Sequence, residues 1–259
     1  MKSYIFLLVK GNPQSELFRM DTSSWRIRAV MEPRGFIRVI EIVLAIVAFA
    51  TTGGYHSTAE YAISCPSQTI PNLIPVPISY PFHLNGKDIA FDNCSGNTTT
   101  TRMEGNLSPS AQWFMFVGVT AFLYSLAAVI FYVMFDAKVR QTHERAVTIT
   151  DLAVTVIYTF LWLTAASAWA WGLGEVKKWT SQNRFFSNSP LDSICSQEDT
   201  TCGIIRNPDF TPLNASVAFA FLNFFLWGCN CWFVYKESPY HQEPAKDNAG
   251  APPQPPNNM

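Results

Sequence analysis

Charge is what this chain has least of. Asp, Glu, Lys and Arg make up 14% of its 259 residues, against roughly 25% in soluble domains. The net charge of -1 and pI near 6.4 leave no basic footprint of the kind that nucleic-acid binding needs, so no nucleic-acid partner is expected. Catalytic signatures are missing as well. The chain has no phosphate-cradling glycine loop, no HExxH and no GxSxG. Its histidines, His56, His83, His143 and His241, are scattered, and none has a Cys, Asp or Glu at ligand spacing on a predicted helix. The C-x-x-C spacing of redox and zinc sites is absent too. Cys229 and Cys231 lie two apart, which on a helix points them about 200° away from each other. No enzyme, cofactor or metal site is expected.

Long apolar runs are what the chain does have. Four of them, at about 36–54, 113–135, 152–173 and 213–235, approach the roughly 20 residues needed to cross a bilayer. The last three contain no charge, and the first carries only Arg38 and Glu41, in its first two turns. Helices of a soluble bundle would show a polar face every three to four residues. These runs do not. The expected fold is an all-α membrane protein, a four-helix transmembrane bundle occupying 32–237. It would be flanked by an N-terminal extension at 1–31 and a disordered Pro- and Asn-rich tail at 238–259.

Orientation follows from where the cations fall. Lys138, Arg140 and Arg145 lie in the short connection 136–151, and six more Lys and Arg precede the first run. The positive-inside bias puts both on the cytosolic side, with both termini. The loops 55–112 and 174–212 then face a vesicle lumen or the cell exterior. N-x-[ST] sequons at Asn93, Asn97, Asn106 and Asn214 fall in or at the edge of these loops, where glycosylation occurs. So do two cysteine pairs. Disulfides Cys65–Cys94 and Cys195–Cys202, one closing each loop, are the simpler expectation, and pairing across the loops is the alternative.

Polar residues inside the runs are candidates for helix packing or function. Asn223 and Asn230, seven apart, share a face of the fourth run and are expected to hydrogen-bond to neighbouring helices. Arg38 and Glu41 are one turn apart and can pair with each other. A sharper expectation pairs Glu41 with Lys236 of the fourth span. Asp151 sits where a negative charge favours a helix N-terminus. Small residues form stripes at Ala166, Ala170 and Gly174, and at Gly118, Ala121, Ser125 and Ala128. Cys229 and Cys231 read first as small packing residues. S-palmitoylation near the cytosolic end is the second reading.

Several stretches carry a family resemblance. They are EPRGFIRVIEIVLAIVAFATTGGY (32–55), SYPFHL (79–84), SPSAQWFMFVGV (108–119), FLWLTAASAWA (160–170) and LNASVAFAFLNFFLWGCNCWFVYKE (213–237). Together with the C-x6-C pair of the second loop, they resemble the synaptophysin family (synaptophysin, synaptoporin, pantophysin), four-span vesicle proteins of MARVEL architecture. The long N-terminal extension and the tail, which lacks Tyr-Gly-rich repeats, depart from the family pattern and favour a pantophysin-like member. The resemblance implies two disulfide-bearing lumenal loops, with room for short β-strands in the first. It also implies a non-enzymatic organiser of small cytoplasmic or synaptic-like vesicles that associates with synaptobrevin-type fusion proteins and cholesterol and forms homo-oligomers. The competing expectation, from another class, is an oligomeric channel or small-solute transporter of vesicle membranes lined by Asn223 and Asn230.

Overall fold

The computed structural model describes residues 33–86, 88–238 and 241, with side chains left aside at Arg34, 134–145 and Glu237. The N-terminal extension 1–31 and the tail after His241 lie outside the described residues. In chain order the elements are α1 (Pro33–Gly53), β1 (His56–Ser64), β2 (Asn72–Ser79), a 3-10 turn (Leu84–Gly86), β3 (Asp88–Asp92), β4 (Thr98–Arg102), α2 (Ser108–Trp179), α3 (Gln182–Phe186), α4 (Leu191–Cys195), β5 (Thr201–Arg206) and α5 (Thr211–Glu237).

Four segments are long and apolar enough to span a bilayer: Gly35–Gly53, Ser108–Val133, Ala146–Trp179 and Thr211–Lys236, here spans 1 to 4. Spans 2 and 3 belong to one unbroken helical assignment, α2, which nonetheless doubles back on itself. The Phe114 ring lies 6.0 Å from that of Trp169, Tyr124 lies 5.5 Å from Tyr158, and the Tyr132 hydroxyl reaches Asp151 at 2.8 Å. These pairs run antiparallel, so the reversal falls between Tyr132 and Asp151. The connection expected as a loop at 136–151 is helical in backbone, and span 3 begins earlier than the sequence suggests.

Small residues let the helices approach. A side chain on Gly118 would sit 3.1 Å from Phe49 Cβ of span 1, and one on Gly172 would collide with Ser110 of span 2. In span 2 the expected stripe is buried at Gly118, Ala121 and Ser125. In span 3 the stripe is misplaced. Gly174 faces open space, and the buried positions are Ala165, Ala166, Trp169 and Gly172. The size of the inward aromatics explains the shift: fully buried Trp162 and Trp169 fix the inner face, and the small residues beside them fill the remaining room. Outward faces stay apolar, with Val43, Phe116, Leu123, Phe160 and Phe225 each more than half exposed in the isolated chain. Such a surface suits lipid.

The two long loops form one structure. β5, from the second loop, pairs antiparallel with β1, from the first, giving a sheet of order β2-β1-β5. Edge strand β2 alternates buried Ile74, Val76 and Ile78 with outward Pro75 and Pro77. Prolines at an edge blunt it against further pairing. Central Tyr61 is fully buried, stacks on Phe185 at 3.7 Å and donates its hydroxyl to Thr180 O at 2.7 Å. Phe82 of the SYPFHL stretch joins this cap to the bundle, its ring 5.2 Å from Trp169 and 5.8 Å from Tyr55. It does so at φ 67, a conformation that costs a bulky residue about 1–3 kcal/mol and persists because packing fixes it.

Both disulfides close within their own loops, Cys65–Cys94 and Cys195–Cys202. Their sequence separations of 29 and 7 residues set different losses of unfolded-state entropy. In the chain-entropy treatment these correspond to about 3.6 and about 2.4 kcal/mol. Thermal or denaturant unfolding in detergent should therefore show Cys65→Ser/Cys94→Ser to be the more damaging double substitution. A larger loss from Cys195→Ser/Cys202→Ser would contradict this.

A buried polar cluster joining four spans

Arg38 is the centre of the polar interior. It occupies the first turn of span 1 and faces inward, with no exposed surface. Its Nη1 donates to Glu41 Oε2 at 2.8 Å, one turn along the same helix. Nη2 donates to Asp151 Oδ1 at 2.7 Å and to Thr155 Oγ1 at 2.8 Å, both on span 3. The flat faces of the guanidinium are covered by the rings of Tyr124, 5.2 Å away, and Trp227, 5.0 Å away. Few side chains other than arginine combine a rigid donor fork with a stackable plane.

Each carboxylate is finished by a different helix. Glu41 Oε2 also accepts from Ser125 Oγ of span 2 at 3.0 Å, and Oε1 accepts from Asn230 Nδ2 of span 4 at 2.9 Å. Asp151 accepts the hydroxyls of Tyr124 and Tyr132, at 2.7 and 2.8 Å. The cluster therefore ties all four spans together. Glu41 lies six residues into the shortest span, roughly 9 Å along its axis at 1.5 Å per residue. Exposed Leu126, Ile130, Val156 and Trp232 flank these positions on spans 2 to 4. The charges thus sit within the apolar belt and are screened from it by the bundle. Ionised groups are stable there only when paired and hydrogen-bonded.

The sequence-derived candidates divide. Arg38 and Glu41 pair, and Asn230 joins them across helices. Asn223 is also fully buried, but its Nδ2 turns back to Phe219 O of its own helix at 2.9 Å and its Oδ1 has no partner among the described residues. The expected interhelical bond at Asn223 is not formed. One heptad towards the loop end, Trp169 Nε1 donates to Ser216 Oγ at 2.9 Å, supplying the bond between spans 3 and 4 that Asn223 was expected to supply. The expected Glu41–Lys236 pair is corrected as well. Lys236 is exposed with its ammonium 5.4 Å over the Trp232 ring, and Glu41 is bonded instead to Arg38, Ser125 and Asn230.

Sequence reasoning missed Asp151 as a partner of Arg38, along with Thr155, Tyr124, Tyr132 and Ser125. One signal was available: an acidic residue in the first part of span 3, near the same end of the bundle as the cation at the start of span 1. The remaining donors are hydroxyls, ordinary within apolar runs. Cys229 is exposed on the outer face of span 4, whereas Cys231 is half-buried with its Sγ 3.3 Å from Thr159 Oγ1. Among the sequons, Asn97 and Asn106 are exposed. Asn93 is half-buried, and its Oδ1 accepts the N–H groups of Ser95 and Asn97 at 3.0 and 2.9 Å. Asn214 lies in the first turn of α5 and accepts from Lys177 Nζ at 2.6 Å. The side chain of His143 lies outside the described ones. Among the described residues, no three His, Cys, Asp or Glu side chains converge as a metal site.

Four apolar helices, an interior tied by one arginine and a disulfide-braced cap on the loops together define a four-span helical membrane protein. Residues 29–233, most of the chain, match the family model MARVEL, described as a membrane-associating domain. The chain belongs to the MARVEL family.

Removing one member of a buried ion pair strands the other charge, at a cost of about 3–5 kcal/mol. Arg38→Ala should accordingly lower the unfolding midpoint more than any single apolar truncation on the outer face. The two asparagines should separate. Both substitutions remove an amide oxygen that is buried without a partner among the described residues, but Asn230→Leu also removes a donor to a carboxylate and should cost about 1.5–3 kcal/mol, whereas Asn223→Leu loses only a bond within its own helix and should be near neutral. Unfolding measurements in a defined detergent would reveal the contrast. Equal losses at the two positions would refute it.

Proposed function

We propose that this MARVEL protein is a non-enzymatic organiser of small cytoplasmic or synaptic-like vesicles. It acts through lateral association with synaptobrevin-type fusion proteins and cholesterol, and as a homo-oligomer. Both termini and the connection carrying Lys138, Arg140 and Arg145 face the cytosol, and the disulfide-bonded cap faces the vesicle lumen. One observation carries the reading. The polar groups of the spans, Arg38, Glu41, Asp151, Asn223 and Asn230, are turned inward and buried within one chain, so the surface offered to other membrane components is apolar. Such a surface favours sideways contacts with lipid and with other spans. The resemblance of 32–237 to the synaptophysin family supports the choice of vesicle and partners.

In the channel or transporter reading, Asn223 and Asn230 were the residues that could line a pore between chains. Both have no exposed surface in a single chain, which leaves that pore without its lining.

Vesicles immuno-isolated through this protein should contain a synaptobrevin-type protein, and the protein should shift on glycosidase treatment. Purified protein in liposomes should show no substitution-sensitive conductance. Robust conductance without co-purification would overturn the proposal in favour of the channel. Cytosolic acylation has its own expected outcome. Hydroxylamine-sensitive lipid should be lost in Cys229→Ser and kept in Cys231→Ser, because only Cys229 presents its thiol outward. The reverse pattern would exclude Cys229 as the acceptor.

A further inference from the structure

At the loop end of the bundle, where α1 stops and α5 begins, the chain forms a cavity of about 260 Å³ that is open to the outside. Ala50, Thr51, Tyr55, Ser57, Asp209 and Pro212 form its walls, with His56 beside them. Two span ends border it, Gly53 of span 1 and Thr211 of span 4, so it lies at the level of the lipid headgroups. Its volume is below the roughly 300–1,000 Å³ of drug-sized pockets, and suits one small polar group.

The walls mix apolar and polar groups, and among the described residues their one carboxylate is that of Asp209. The C-terminal end of α1 contributes its partial negative charge. Of the last carbonyls there, those of Ala50 and Thr52 are already taken by the N–H groups of Gly54 and Tyr55. Asp209 is exposed, and the hydroxyl of Thr211, together with the Thr211 backbone N–H, holds its carboxyl below the usual carboxylate range. Its backbone N–H donates to Ser57 Oγ at 3.1 Å, and its carbonyl accepts the Tyr55 hydroxyl at 2.9 Å. These bonds clasp the two span ends and fix the carboxylate at the cavity. No Lys or Arg lines the cavity. The nearby Lys177 is held on Asn214 Oδ1 and over the Phe210 ring, and forms no ion pair with Asp209 among the described residues.

We propose that this cavity binds the primary ammonium headgroup of phosphatidylethanolamine. A primary ammonium brings one positive charge and N–H donors to the exposed Asp209 carboxylate. The quaternary ammonium of phosphatidylcholine has the charge without the donors. The headgroup of phosphatidylserine adds a carboxylate that Asp209 repels.

The test uses the full chain purified in detergent with equimolar phosphatidylethanolamine, phosphatidylcholine and phosphatidylserine, and reads retained lipid by native mass spectrometry. The wild type should favour phosphatidylethanolamine over either competitor by about tenfold, the equivalent of one charge-assisted hydrogen bond. Asp209→Asn keeps an oxygen that can accept the Thr211 N–H, so the fold is retained, and it removes the charge. Its preference should fall to near unity. Ala50→Phe, which fills the cavity and leaves Asp209 in place, should lose the bound lipid with an unchanged unfolding midpoint. The proposal is overturned if the wild type shows no preference, if Asp209→Asn keeps it, or if Ala50→Phe still retains the lipid.

Discussion

A guanidinium placed inside an apolar belt is the constraint on which the bundle depends. Arg38 remains charged there because both of its Nη groups meet acceptors and its faces are covered, although its Nε has no partner among the described residues. Span 1 supplies Glu41, span 3 supplies Asp151 and Thr155, and span 2 supplies the Tyr124 ring. Span 4 closes the remaining face with Trp227 and reaches Glu41 through Asn230. Helix association in lipid lacks the hydrophobic drive available in water and relies on close packing and interhelical hydrogen bonds. One arginine with five polar and aromatic contacts, and three further donors on its two carboxylates, therefore sets the register of all four helices at that end. The opposite end is fixed differently, by aromatic packing. Phe82 drops onto Trp169 from the loops, and Trp169 in turn donates to Ser216.

The two ends serve different purposes. The ion cluster consumes the intramembrane polarity and leaves the outer surface apolar, which suits contact with lipid. The cap, by contrast, concentrates exposed polarity. Its sheet unites both loops through the β1–β5 pairing, and its disulfides brace that sheet from either side. Between cap and bundle, Tyr55 and Asp209 join the end of span 1 to the start of span 4 and shape the cavity there.

How much was legible depended on whether a feature is local. The spans could be read because length and hydropathy are properties of contiguous residues. Arg38 and Glu41 could be paired because one turn of helix separates them. Asn223 misled for the same reason that Asn230 succeeded: the heptad spacing put both on one face, but only Asn230 met a carboxylate from another span. Lys236 was matched to Glu41 by charge alone, although Glu41 bonds instead to Arg38, Ser125 and Asn230. The Ala166, Ala170 and Gly174 stripe failed because the large indoles of Trp162 and Trp169, not the small residues, set the inward face.

The sequence by itself determined that the chain crosses a membrane four times, since no other arrangement hides runs of that length and apolarity. It also placed two cysteine pairs in the two loops and limited intramembrane charge to a few named residues. Only the tertiary structure decided that Asp151, 113 positions away, completes the coordination of Arg38. It also decided that β5 joins β1 across the two loops, and that the asparagines of span 4 look inward. These are long-range facts. They depend on which helix faces which and at what height, and that is settled by satisfying buried donors and acceptors together, a condition that no single stretch of sequence expresses.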